Sequence, residues 1–187
     1  MPTLPTPGVA KRDPVILFFL SAGLLYLAWY LLYEFVLHPG RVLDMAVIDN
    51  LMWLSGGLLE ALGYTLLPEP DFDTNRYLGI QGGSHLWIGD PCNGVSLFAV
   101  FLIFLAAYPG PWRHKLWFGG LGLLSIHLIN VLRIVVLVII NRYDHTLLNF
   151  NHDYTFYVVV YGWVFALWYL WVKRFAPQGG LRPAARP

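Results

Sequence analysis

The feature that most limits what this chain can become is a set of four long apolar runs, Val15–Leu37, Val95–Tyr108, Leu116–Ile140 and Tyr154–Val172. About 20 residues of helix cross a ~30 Å hydrocarbon core. Three of the runs are near that length, and the second reaches it if its helix starts near Cys92. Lipid offers no partner to an unpaired backbone, so such runs become helices packed against one another. Charged residues make up only 12% of the chain, about half of what a soluble domain carries. The fold class expected is therefore an all-α polytopic membrane protein, a small transmembrane helical bundle. Its eight Trp and eleven Tyr suit two water–lipid interfaces. The net charge of +1 gives no electrostatic case for nucleic acid.

The stretches between the runs divide the chain. Residues 1–14 are Pro-rich and read as a cytoplasmic tail. Lys11 and Arg12 precede an apolar run, but Val15–Leu37 is too long for a signal-peptide core and lacks a small-residue cleavage site, so it reads as an uncleaved anchor. In residues 42–66, Leu43, Val47, Leu51, Leu54, Leu58 and Leu62 recur at helical spacing, while Asp44, Asp49, Asn50 and Glu60 interrupt. That pattern predicts an amphipathic helix lying at the interface, with a fifth span as the alternative. Residues 68–91 carry acids, Pro, Gly and short alternating pieces around Gly82-Gly83, which predicts a small external β-hairpin. One membrane domain over 15–173 is expected, with spans at about 15–37, 93–108, 116–140 and 154–172. Residues 174–187 are expected to be a disordered cytoplasmic tail.

Lys and Arg set the orientation. With four spans, Lys11, Arg12, Arg113, Lys115, Lys173, Arg174, Arg182 and Arg186 share one side, and only Arg41, Arg76 and Arg142 face the other. The first side is expected to be cytoplasmic. The hairpin and the Asn141–Asp153 loop are then external.

Three residues at that external level are suited to chemistry. Cys92, the single cysteine, stands in Asp-Pro-Cys-Asn-Gly at the entry of the second span. Partial positive charge and free N–H groups at a helix start favour a reactive thiolate; the alternative is a small core residue. Arg133 lies within the third run, where a charge costs at least ~2.5–3.5 kcal/mol on insertion scales. Seven residues, Ile134–Ile140, follow it in the run, which puts Arg133 ~10 Å below the end of the run. It reads as functional, or else as a packing cation paired with Glu34 or backbone carbonyls. Asn130, one turn deeper, is placed to hold it. His127, deeper still, reads as a hydrogen-bonded core residue. His152 stands at the entry of the fourth span, seven residues after His145 in the same loop. A thiol, a base that titrates near neutrality and a fixed cation are what acyl transfer through a thioester needs.

The pieces Pro-Cys-Asn-Gly-Val (91–95), Asn-Val-Leu-Arg-Ile (130–134), Asn-His (151–152) and Tyr-Gly-Trp-Val-Phe (161–165) together resemble the exosortase/archaeosortase family of membrane transpeptidases. The resemblance covers roughly residues 15–173. It implies Cys92 as nucleophile, Arg133 as oxyanion stabiliser and His152 as base or acid; Asn130, Asn93, Gly94 and Asp90 are read as supporting residues. It also implies substrates that are exported proteins with a C-terminal motif, a transmembrane helix and a basic tail. They would be cut on the external face of the plasma (inner) membrane, with transfer to an amine or lipid-linked acceptor. No metal or cofactor is expected. A metal site from His127, His145 and His152 has irregular spacing, and no His-Glu-x-x-His occurs. Two other readings remain: a cysteine peptidase with water as acceptor, and a non-enzymatic assembly or channel subunit in which Arg133 is structural.

Overall fold

The computed structural model describes residues 13–68, 70, 76–143 and 156–176. Among the described residues five helices carry the fold: α1 (Pro14–Gly40), α2 (Val42–Ala61), α3 (Val95–Ala107), α4 (Trp112–Tyr143) and α5 (Phe156–Arg174). Two short strands, β1 (Tyr77–Leu78) and β2 (Leu86–Trp87), pair antiparallel between α2 and α3. This is the all-α membrane architecture with a small hairpin that the sequence predicts. By length and composition α1, α2 and α4 are each able to cross a membrane.

Local chemistry sets the element boundaries. The Asp13 carboxylate accepts the Val15 amide, and Pro14 opens α1, where a missing N–H does no harm. Near its end α1 widens into a π-helical stretch, Tyr33–Leu37. Arg41 then adopts a left-handed conformation, φ 55°, and α2 begins at the next residue. The helix α3 does not reach back to Cys92. Asp90–Cys92 forms a separate 3₁₀ turn, and Gly94 at φ 77° separates it from Val95. With 13 residues, α3 is about 20 Å long. The helix α4, by contrast, runs three residues past Ile140 to Tyr143. Its extra turn is held by the hairpin: the Asn141 amide donates to the Ser84 carbonyl at 2.8 Å, and the Ser84 hydroxyl donates to Asn141 Oδ1 at 3.3 Å.

Ring contacts give the directions. Phe18 packs edge-on against Phe104 and Tyr108, so α1 runs antiparallel to α3. Phe118 meets Trp171 and the Trp163 indole donates to Ser125, so α4 and α5 are antiparallel too. The Pro109–Pro111 turn and the end of α5, with Arg113, Lys115, Lys173 and Arg174, lie together. The Arg41 elbow and the Asp90–Asn93 turn lie at the opposite level.

Two apolar cores are stacked along α4. The first joins Phe101, Leu105, Phe118, Ile126, Val164 and Trp171. The second joins Ile48, Leu51 and Leu59 of α2, Leu78, Ile80 and Ile88 of the hairpin segment, and Val131, Ile134 and Val138 of α4. Asp44, Asn93, Asn130 and Arg133 are buried polar residues.

Gly122 lets α3 and α4 approach in the first core. A methyl group there would run into the ring of Phe101, which is fully buried. Alanine gains about 1 kcal/mol of helix propensity, but overpacking costs about 1–3 kcal/mol. Gly122→Ala is expected to lower the thermal midpoint in detergent. A midpoint at or above wild type would show that the Phe101 ring has room to turn.

Candidate active site

Cys92 closes the 3₁₀ turn Asp90–Cys92, which Pro91 rigidifies. Its amide donates to the Gly89 carbonyl at 2.9 Å, and its own carbonyl accepts the Asn130 amide at 2.7 Å. Asn130 thus holds the cysteine backbone, not the Arg133 guanidinium that the sequence reading assigned to it. Gly94 needs its positive φ at this point, and a Cβ there would press on Asn130 Nδ2 at 3.2 Å. Cys92 is 8% exposed and belongs to the second apolar core.

Asn93 uses both ends of its side chain. Its Oδ1 accepts the Val95 amide, the first of α3, at 2.8 Å, and its Nδ2 donates to Asp44 Oδ1 at 2.6 Å. Asp44 also accepts the Tyr33 hydroxyl at 2.7 Å and the Nδ1–H of His38 at 2.9 Å. Residues five apart face one another only where a helix widens to the π form, and Tyr33 and His38 are five apart across Tyr33–Leu37. Asp90 accepts from Arg41 Nη2 at 3.2 and 3.3 Å and from Arg76 Nη1 at 3.1 Å.

Arg133 is 9% exposed, and its Nε has no hydrogen-bond partner. Among the described residues no carboxylate stands within ion-pair distance of it; the ion pairs are His38–Asp44, Arg41–Asp90 and Arg76–Asp90. Pairing with Glu34 is therefore not what keeps Arg133 buried. It lines a cavity of about 220 Å³ with Asp90, Pro91, Asn93, Gly94, Val160 and Tyr161. The residues on either side of Cys92 form this wall, while the cysteine side chain lies in the core behind it. The cation is thus next to the turn, and Val160 and Tyr161 of α5 close the far side. His127 Nε2 is 2.8 Å from Asn50 Oδ1, so it is hydrogen-bonded as expected, but it is half-buried and not the core residue that the sequence suggests. His145 and His152 lie outside the described residues.

Sequence reasoning missed Asp44, Tyr33, His38, Arg41 and Arg76. Asp44 was the most accessible of them, because an acid within an apolar helical run demands a partner.

Compared with known families, the chain matches the model described as transmembrane exosortase (Exosortase_EpsH) over residues 12–172. No curated protein and no solved structure matches it. The match extends over most of the chain, which belongs to the transmembrane exosortase family. It is thus an integral membrane protein of a family of transpeptidases that process sorting signals of exported proteins.

Proposed function

We propose that the chain is a cysteine transpeptidase that cuts C-terminal sorting signals through a thioester on Cys92. The observation that carries this reading is the buried Arg133, whose Nε is unpartnered at a cavity walled by the residues flanking Cys92. An arginine with no counter-charge among the described residues, in such a place, is suited to a negative charge that exists only during reaction. In the proposed cycle the Cys92 thiolate adds to the scissile carbonyl, and Arg133 donates to the resulting oxyanion. The C–N bond then breaks, and His152, as imidazolium, protonates the leaving amine. The thioester is next attacked by an amine or lipid-linked hydroxyl, whose proton passes to His152, and the thiolate leaves. No metal or cofactor enters the cycle.

The Cys92 turn is assigned to the external face of the plasma membrane. The basis is that Arg113, Lys115, Lys173 and Arg174 gather at the other end of the bundle. In the same reading α2 lies against the external half of α4. Its outward residues Asp49, Asn50, Trp53 and Glu60 are exposed, which suits a headgroup region better than hydrocarbon. The substrate tail helix would dock in the bilayer beside the bundle, where confinement raises its local concentration.

Co-expression with an exported protein bearing such a tail tests the function. A hydroxylamine-sensitive adduct between Cys92 and the substrate body is expected, and the product mass identifies the acceptor. Tail removal with no adduct trapped, even under acid quench, would argue against the thioester. Arg133→Lys gives a second test where the cation is concerned. Lysine keeps the charge but loses the planar fork, so processing is expected to fall by about 100-fold or more. Wild-type processing in that variant would reduce Arg133 to a packing cation.

A further inference from the structure

We propose that Asp44 is a positioning residue for the nucleophile, acting through Asn93; this rests on the reading of Cys92 as nucleophile. Asp44 is fully buried and accepts three side-chain donors, Tyr33, His38 and Asn93. A buried carboxylate persists only when its lone pairs are filled, and Asp44 meets that condition. Ionised, it only accepts, so it dictates which end of the Asn93 amide faces it. The nitrogen must turn to Asp44, which leaves Oδ1 for the Val95 amide at the start of α3. Asp44 thereby fixes the orientation of the side chain next to Cys92.

The same elbow grips the turn at its other end. Arg41, three residues before Asp44, pairs with Asp90, two residues before Cys92. Asn130 holds the Cys92 carbonyl from α4. The backbone around Cys92 is thus tied to the elbow on both sides, and the direction in which the sulfur leaves the chain follows from the elbow. The π-helical stretch of α1 has a purpose in this arrangement, because it brings Tyr33 and His38 to the carboxylate together.

The test exchanges the pair. Asn93→Asp places two carboxylates against each other. Asp44→Asn removes the acceptor that orients Asn93. The double variant Asp44→Asn/Asn93→Asp restores one donor and one acceptor and keeps a carboxylate oxygen for the Val95 amide. Each single variant is expected to lower kcat for tail removal by roughly 10-fold or more, within what a small misplacement costs, with KM little changed. The exchange should recover most of the loss. Asn93→Ser separates positioning from the Val95 contact, since a serine hydroxyl can still accept a backbone amide two residues on but loses the bond to Asp44; it too should lose kcat at a normal membrane level. Wild-type kcat in Asn93→Ser and Asp44→Asn would overturn the proposal, as would an exchange no better than the singles. Cys92→Ala, run alongside, reports on the nucleophile. If it is inactive while the Asp44 and Asn93 variants are unimpaired, only the positioning role falls. If it is active, the nucleophile reading falls and the positioning role with it.

Discussion

Cys92→Ala is expected to abolish tail removal, a loss on the order of 10⁴-fold or more, as follows when a covalent nucleophile is deleted. Cys92→Ser should fare little better. A serine hydroxyl needs a strong adjacent base before it attacks, whereas a thiol supplies some thiolate at neutral pH. The variants should still fold. Cys92 contributes one small side chain to a core that also holds Ile48, Leu51, Ile80, Ile134 and Val138, and trimming it costs about 1 kcal/mol. Membrane levels near wild type with no processed substrate are the expected pair of results. A non-enzymatic assembly subunit makes the opposite prediction, because there the substitution removes one sulfur from a core and nothing else. Undiminished processing in Cys92→Ala would therefore remove Cys92 as the nucleophile.

Much of the bundle is legible in the sequence because its determinants are local. A run of apolar residues near spanning length and a Gly-Gly turn between alternating pieces each specify their element without reference to the rest. The burial of Arg133 is legible for the same reason, since it sits among Val131, Ile134 and Val135 whatever else packs nearby. The parts that were not legible depend on partners distant in sequence. The buried stripe of α2 is Asp44, Ile48, Leu51, Ser55 and Leu59. It is turned by about one position from the stripe that hydrophobicity suggests, and Leu62 is left 57% exposed. The turn becomes intelligible only with the partners in place: Asn93 for Asp44, and the Val131 carbonyl, which accepts the Ser55 hydroxyl at 3.4 Å. The start of α3 is a similar case. Cys92 reads as the first residue of a helix, but Gly94 takes a left-handed conformation and moves the start to Val95. The thiol therefore stands on a turn held by two asparagines, and a helix terminus is not its immediate neighbour.

His152, not His145, is expected to be the base that works with Cys92. Both precede α5 and lie outside the described residues, and they differ in their distance along the chain from that helix. His152 is four residues ahead of Phe156, where α5 begins. Val160 and Tyr161, near the start of that helix, line the cavity with Arg133. A residue so close to a packed helix start has its height set by the helix. His145 is seven residues further away, and proton transfer wants a side chain held to a fraction of an ångström. His152→Ala should abolish processing, and His145→Ala should leave most of it. His152→Gln refines the test, because glutamine keeps some hydrogen bonding and removes the base. It should be as inactive as alanine while restoring any helix-capping contribution to the membrane level. Removing a general acid–base group costs about 10²–10⁴-fold, so residual activity near 1% in His152→Gln is compatible with the role. Substantial activity in His152→Gln together with a dead His145→Ala, at equal membrane levels, would transfer the role to His145.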